Sequence, residues 1–178
     1  YRDHRGAWKR PAPMQLAEFT GSEHGRRRYW ARSLVGWRTV ATARPNRAHH
    51  ALAALEARGL VGPLITQNVD GLQQAAGSTQ VIDLHGRLDR VACLDCQRIT
   101  PRDQHQASLE AANPGWAEAA TQVPDAPDGD ADLADVDYTR FVVPPCMACG
   151  GLLKPEVVFF GETVPRPRVD TAFTALAG

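Results

Sequence analysis

LITQNVDGLQQAAGSTQVIDLHG, residues 64–86, is the stretch whose reading decides the fold. Leu64 and Ile65 are apolar and stop at Thr66-Gln67-Asn68-Val69-Asp70, so a short strand is expected to run into a polar loop. Leu72 to Ala76 reads as a short apolar helix ended by Gly77. Val81-Ile82-Asp83-Leu84 reads as a second strand, with His85-Gly86 at its carboxyl end. A helix between two strands is the crossover that a parallel pair requires. Ligands bind beyond the carboxyl ends of such strands. Asn68, Asp70 and His85 are therefore expected to open into one crevice.

Working outward, Pro45-Asn46 marks a turn and a helix N-cap. Ala48, Ala51, Leu52 and Leu55 then recur at helical spacing until Gly59. His49 and His50 ride on this helix as ordinary surface or packing residues. Leu60-Val61 leads back into the first strand, a helix-to-strand order consistent with α/β architecture. Arg26 to Trp37 is a basic, aromatic, helical stretch. Tyr29 and Arg32 are three apart and share one helix face, where a phenol beside a guanidinium can bind a carboxylate. The competing reading is an amphipathic helix with Tyr29 half-buried and Arg32 in water.

The only cysteines are Cys93, Cys96, Cys146 and Cys149, in two Cys-x-x-Cys pairs. Four thiolates in a tetrahedron make a closed structural zinc site. Gly150-Gly151 allows the tight turn after the second pair. Disulfides or a redox dithiol are the competing readings. Between the pairs, a weak helical pattern covers Leu109 to Ala120. Asp125 to Asp137 is acidic and punctuated by Pro and Gly, and reads as an exposed, mobile excursion. Val157-Val158-Phe159-Phe160 reads as an apolar core strand, followed by a Pro-broken loop and a helix from about Val169.

The chain has 178 residues and no net charge, enough for one sizeable core and without general affinity for polyanions. Charge is uneven. Residues 1–60 hold twelve Lys/Arg against four Asp/Glu, and residues 101–140 hold nine Asp/Glu against two Arg. Two solvated faces explain this, as does a basic entry surface for an anionic cofactor or acidic substrate. No apolar run reaches membrane-spanning length and no signal peptide is visible. The chain begins at Tyr1, so a fragment is expected. Neither nucleic acid nor a membrane is expected as a partner. Tandem arginines at 26–28 without a wider basic surface do not make a nucleic-acid site.

TQNVDGL followed by LHG, the two cysteine pairs and PEVVFFGE (residues 155–162) resemble, in that order, the sirtuin family of NAD-dependent protein deacylases. RYWAR (28–32), Gly36-Trp37 and the long insert between the cysteine pairs resemble its class II branch. The resemblance implies an α/β fold with a Rossmann-like parallel sheet and a small zinc-ribbon module. Residues 1–90 and 152–178 would form the partial Rossmann-like domain, and residues 91–151 the zinc module with its acidic insert. The family's leading Gly-rich loop and the strands that complete its sheet have no counterpart here.

The resemblance also implies site residues. Gln67, Asn68, Val69 and Asp70 would line the nicotinamide and ribose of NAD. Arg2 would contact phosphate or ribose. His85 would be the general base on a ribose hydroxyl, a task suited to imidazole near neutrality. Val158, Phe159 and Phe160 would line the acyl-lysine channel and pair with substrate backbone, and Tyr29 with Arg32 would favour acidic acyl groups. His4, His24 and His105 are expected to have no catalytic part. The implied activity is acyl transfer from the lysine of a protein or peptide to ADP-ribose, with release of nicotinamide. The alternatives are a protein mono-ADP-ribosyltransferase and a non-catalytic zinc-stabilised fragment. The bacterial cytoplasm is the expected setting, with the mitochondrial matrix as alternative.

Overall fold

The computed structural model describes His4, residues 13–119 and residues 136–177. Arg2 and most of the acidic insert lie outside the described residues.

Helices α1 (Leu16–Gly21) and α2 (Glu23–Thr42) meet at a sharp corner. The Ser22 side chain caps α2 by accepting the Gly25 amide at 3.0 Å. Gly25 is required there, since a Cβ would lie 2.9 Å from the Glu18 carbonyl oxygen. Along α2, Trp30, Leu34 and Trp37 recur at helical spacing and are buried. They face α5 (Arg102–Ala112) and a sheet of β4 (Ile99–Pro101), β3 (Gly86–Cys93) and β5 (Leu153–Val157), in that spatial order. Both pairings of β3 are antiparallel. The core lies in this half: Phe19, Trp30, Leu34, Val91, Leu109, Phe141 and Leu153 form one buried cluster. Fully burying a side chain such as Leu or Phe is worth roughly 1.5–3 kcal/mol.

The other half is the parallel unit. α3 (Arg47–Ala57) is capped by Asn46, whose side chain accepts the Ala48 and His49 amides. His49 is more than a surface residue: its Nδ1 accepts the Asn46 amide at 3.2 Å, completing a reciprocal cap. β1 (Leu64–Thr66) pairs in parallel with β2 (Val81–Asp83), with Thr66 opposite Asp83. α4 (Leu72–Ala75) makes the crossover, and Gly77 ends it with φ of 107°. The architecture is thus α/β with a parallel strand pair beside an antiparallel sheet.

Three sequence expectations need correction. The strand expected over Val157–Phe160 lies earlier, at Leu153–Val157. Pro155 is tolerated because β5 is at the edge of its sheet. Phe159 buries itself as an irregular segment against Phe19 and Tyr29, with ring centroids at 5.2 and 5.1 Å. The helix expected over Leu109–Ala120 is α5 followed by a separate short helix, α6 (Trp116–Ala119). The last helix, α7 (Arg166–Ala177), begins three residues before the expected Val169. Pro167 falls in its first turn, where the missing N–H costs nothing. In addition, β5 pairs with β3 rather than with the parallel strands, so residues 153–157 are joined to the cysteine-bearing sheet.

Candidate active site and metal centre

The backbone of the Thr66–Leu72 loop is tied down at each step. Thr66 Oγ1 accepts the Asn68 amide at 3.0 Å, and the Val69 carbonyl accepts the Leu88 amide at 2.9 Å. Asp70 Oδ1 accepts the Leu72 amide at 2.9 Å, so the carboxylate holds the start of α4. Gly71 turns the chain with φ of 70°. Gln67 and Asn68 are exposed, Val69 and Asp70 half-buried. Among the described residues no hydrogen bond engages the Gln67 or Asn68 side chain. The amide groups of both remain available to a ligand.

His85 follows β2 directly. Because Thr66 lies opposite Asp83, the loop and His85 leave from the same carboxyl end of the parallel pair. The Leu84 amide donates to the Thr66 carbonyl at 2.9 Å, which carries the pairing to the edge of the site. His85 is half-buried, and no hydrogen bond engages its ring among the described residues. Its backbone is fixed: the His85 carbonyl accepts the Val158 amide at 2.9 Å. Gly86 then turns with φ of 80°, and a Cβ there would overlap the Glu156 carbonyl.

The segment after β5 joins this end. Val158 is half-buried, Phe159 is 8% exposed and Phe160 is 48% exposed. Phe160 bridges to Gln15, and its carbonyl accepts the Leu16 amide at 2.9 Å. Tyr29 packs edge-on to Phe19 and Trp30 and stacks tilted on Phe159. Tyr29 and Arg32 are both half-buried on α2. The geometry therefore brings Tyr29, the Val158–Phe160 segment and His85 into one chain of contacts.

At the far end of β3 the four cysteine Sγ atoms all lie within 4.8 Å of one another. Cys93 and Cys149 are 3.5 Å apart, and Cys96 and Cys146 are 3.8 Å apart, well beyond a disulfide bond. Four bonds of about 2.3 Å to a tetrahedral zinc put the sulfurs about 3.8 Å apart, which these spacings match. Both knuckles close through left-handed residues, Gln97 and Gly150. They are cross-linked where the Leu152 amide meets Asp95 Oδ2 at 3.0 Å. A Cβ at Gly151 would overlap that carboxylate, so a larger residue there would displace the cross-link. The Cys96 amide, the largest influence, holds the Cys93 thiol down to about 7. The Gly151 amide pulls Cys149 down, yet the neighbouring Cys96 and Cys93, with burial, push it up to about 12. Four clustered thiolates resist joint ionisation without a cation, and a divalent soft-to-borderline metal supplies one.

His105 is a core histidine, with its Nε2 buried and without a hydrogen-bond partner among the described residues. It is 3% exposed, its ring is 4.4 Å from that of Trp30, and burial, aided by the neighbouring Arg102, pushes it down to about 3. Sequence reading passed over Lys154 and Glu162, a buried lysine paired with a half-buried glutamate beside the Val158–Phe160 segment. The available signal was a lone lysine inside an apolar run.

The sequence matches the Sir2 family over residues 1–177. It is 62% identical over 176 residues to an NAD-dependent protein deacetylase of Xanthomonas axonopodis pv. citri (strain 306), covering 99% of this chain and 59% of that protein. It is 59% identical to an NAD-dependent protein deacetylase of Bordetella bronchiseptica, with coverage of 99% and 64%. The chain thus spans about three fifths of the length of these relatives. A Sir2 protein bound to a propionylated peptide superimposes with a TM-score of 0.65 at 29% identity, over 90% of this chain and 54% of that one. A Sir2 complex with a p53 peptide and NAD+ gives 0.63 at 27% identity, over 95% and 58%.

Proposed function

Because the chain belongs to the Sir2 family, we propose that the whole protein is an NAD-dependent protein-lysine deacylase. The observation that carries the reading is the convergence of the Gln67–Asp70 loop, His85 and Val158 at one end of the parallel pair. Gln67 and Asn68 hold the nicotinamide carboxamide and ribose through their unengaged amides, with Val69 and Asp70 completing that wall. Arg2 contributes to the phosphate end. NAD held there would supply an electrophilic ribose carbon for the acyl oxygen, with nicotinamide as its leaving group. A ring nitrogen of His85 takes the proton from a ribose hydroxyl presented to it, and its unbonded ring is suited to that task. Val158, Phe159 and Phe160 bind the acyl-lysine segment, their backbone aligning with substrate backbone. Tyr29 and Arg32 tune the acyl end toward acidic groups.

Cys93, Cys96, Cys146 and Cys149 hold one structural zinc, supported by their spacing and by the closed four-sulfur donor set. The proposed zinc module, residues 91–151, is joined to the Rossmann-like part through the pairing of β3 with β5. The proposed setting is the bacterial cytoplasm, supported by the bacterial sources of the relatives. Among the described residues no helix is long and apolar enough to cross a membrane.

The test is NAD consumption by the full-length protein on a panel of acyl-lysine peptides, wild type against His85→Ala. Acyl-ADP-ribose that forms with the wild type and disappears in the variant supports the reading. NAD binding without turnover on any acyl-lysine sinks it and moves the weight to ADP-ribosyl transfer.

A further inference from the structure

The loop that leaves β5 is clipped at its base by one ion pair between a buried lysine and a half-buried glutamate. Lys154 is 5% exposed, and its Nζ lies 3.0 Å from Glu162 Oε2. The same carboxylate oxygen accepts the Phe159 amide at 2.8 Å. Nζ also donates to the Val157 carbonyl and lies 4.6 Å from the centroid of the Phe159 ring. The Glu162 amide closes back on the Phe159 carbonyl at 3.0 Å. Two charged groups eight residues apart thus bind the carbonyl, the amide and the ring that bracket Val158. Val158 is the residue whose amide holds the His85 carbonyl.

The position of this pair matters. The ladder between β3 and β5 is regular from Val91 to Cys93 but shifts register between Val91 and Gly86. Beyond that shift pairing resumes only at Gly86 with Val157 and in the bond from the Val158 amide to the His85 carbonyl, and the Lys154 and Glu162 side chains brace the chain that follows. An ion pair with its lysine buried is a poor way to gain stability, because taking that charge out of water offsets much of the attraction. It is a good way to fix one backbone geometry, because both charges must find each other and their amide and carbonyl partners at once. Desolvation by burial pulls Lys154 below its usual value, and the Glu162 carboxylate opposes that pull.

We propose that Lys154 and Glu162 are positioning residues, which set the Val158–Phe160 segment for the acylated peptide and, through the Val158 amide, the backbone of His85. The functional consequence rests on the deacylase reading, whereas the conformational one does not. The test uses the full-length protein carrying K154M/E162Q, which removes both charges at similar volume, with K154R as the conservative variant. E162Q alone is the second route if the double variant does not fold.

In the folded variant, zinc content and thermal midpoint stay near wild type. KM for an acetyl-lysine peptide rises about tenfold or more, as displacement of binding groups by a fraction of an ångström produces. KM for NAD stays unchanged, and K154R restores the peptide value. Amide exchange at Val158 and Phe159 speeds up while that of Val91 and Ala92 does not. An unchanged peptide KM together with unchanged exchange overturns the proposal. If the wild type turns over no acyl-lysine, the deacylase reading fails by itself. The exchange comparison then decides the clamp, faster exchange supporting it and unchanged exchange overturning it.

Discussion

The two ends of β3 are built on opposite plans. At the Gly86 end the backbone is pinned by Thr66, Val158 and Leu88 contacts while the side chains of Gln67, Asn68 and His85 stay unengaged. At the Cys93 end the side chains themselves converge, with four sulfurs within 4.8 Å, and the backbone turns serve to aim them. A group that must exchange protons or partners needs a fixed frame and a free ring. A group that must hold a metal needs its ligands spent on each other. The strand between them joins a place for change to a place for permanence.

The largest effect expected from breaking this contrast is at the sulfur end. Cys146→Ser should abolish tight zinc binding and unfold the β4-β3-β5 sheet, since structural zinc in small modules is worth ~10–16 kcal/mol of apparent binding energy. Metal analysis and circular dichroism check it. A folded, zinc-free Cys146→Ser protein with intact turnover would erase the difference between the two ends.

At the other end, His85→Ala should leave zinc content and thermal midpoint unchanged while turnover drops roughly 100- to 10,000-fold, the usual worth of a general base. Loss of zinc in that variant would show that the ends are coupled through the fold instead of specialised. Gly86→Ala sharpens the point. It touches no reactive group, yet a Cβ at φ of 80° overlaps the Glu156 carbonyl. A cost of about 2–4 kcal/mol is expected. Denaturant midpoints measure it, and a cost below about 0.5 kcal/mol would contradict the close approach of β3 and β5.

The effect that is smallest at neutral pH concerns a single histidine. His105 titrates near 3 when folded against an ordinary 6.5. Between these values the unfolded chain binds the extra proton, so stability is intact above pH 6.5 and declines as the pH falls. The slope approaches about 1.4 kcal/mol per pH unit. His105→Phe fills the same space beside Trp30 and should flatten that slope without altering turnover at pH 7.5. An unchanged acid profile would locate the sensitivity elsewhere.

The legibility of the molecule follows the same division. The parallel unit was readable because local rules fix it: apolar strand ends, a four-residue helix and a terminating Gly77 agree at each level. The cysteine cluster was readable from spacing alone. Helix α5 was not, because its buried face is Arg102, His105, Gln106 and Leu109. Three of those four are polar, so no apolar period marks the helix. Arg102 is stabilised over the Trp30 and Trp37 rings, 5.4 and 5.0 Å away, and donates to the Ser33 carbonyl and hydroxyl. Such compensation is tertiary and leaves no trace in the local pattern. The strand misplaced onto Val157–Phe160 failed for a related reason. Hydrophobicity predicted burial of Phe159 correctly, but burial came from the aromatic cluster under α2, not from a ladder. The Lys154–Glu162 pair then lay in plain view as two charges whose meaning depends on a loop closing between them.

The eight residues of β3 also make a ruler. At ~3.3 Å per residue the strand holds its two ends roughly 25 Å apart. Cobalt exchanged into the sulfur site would be a paramagnetic beacon at a set distance from His85. The shift it induces on the imidazole protons would report how far that ring moves as ligands arrive, with no label attached to the reacting end.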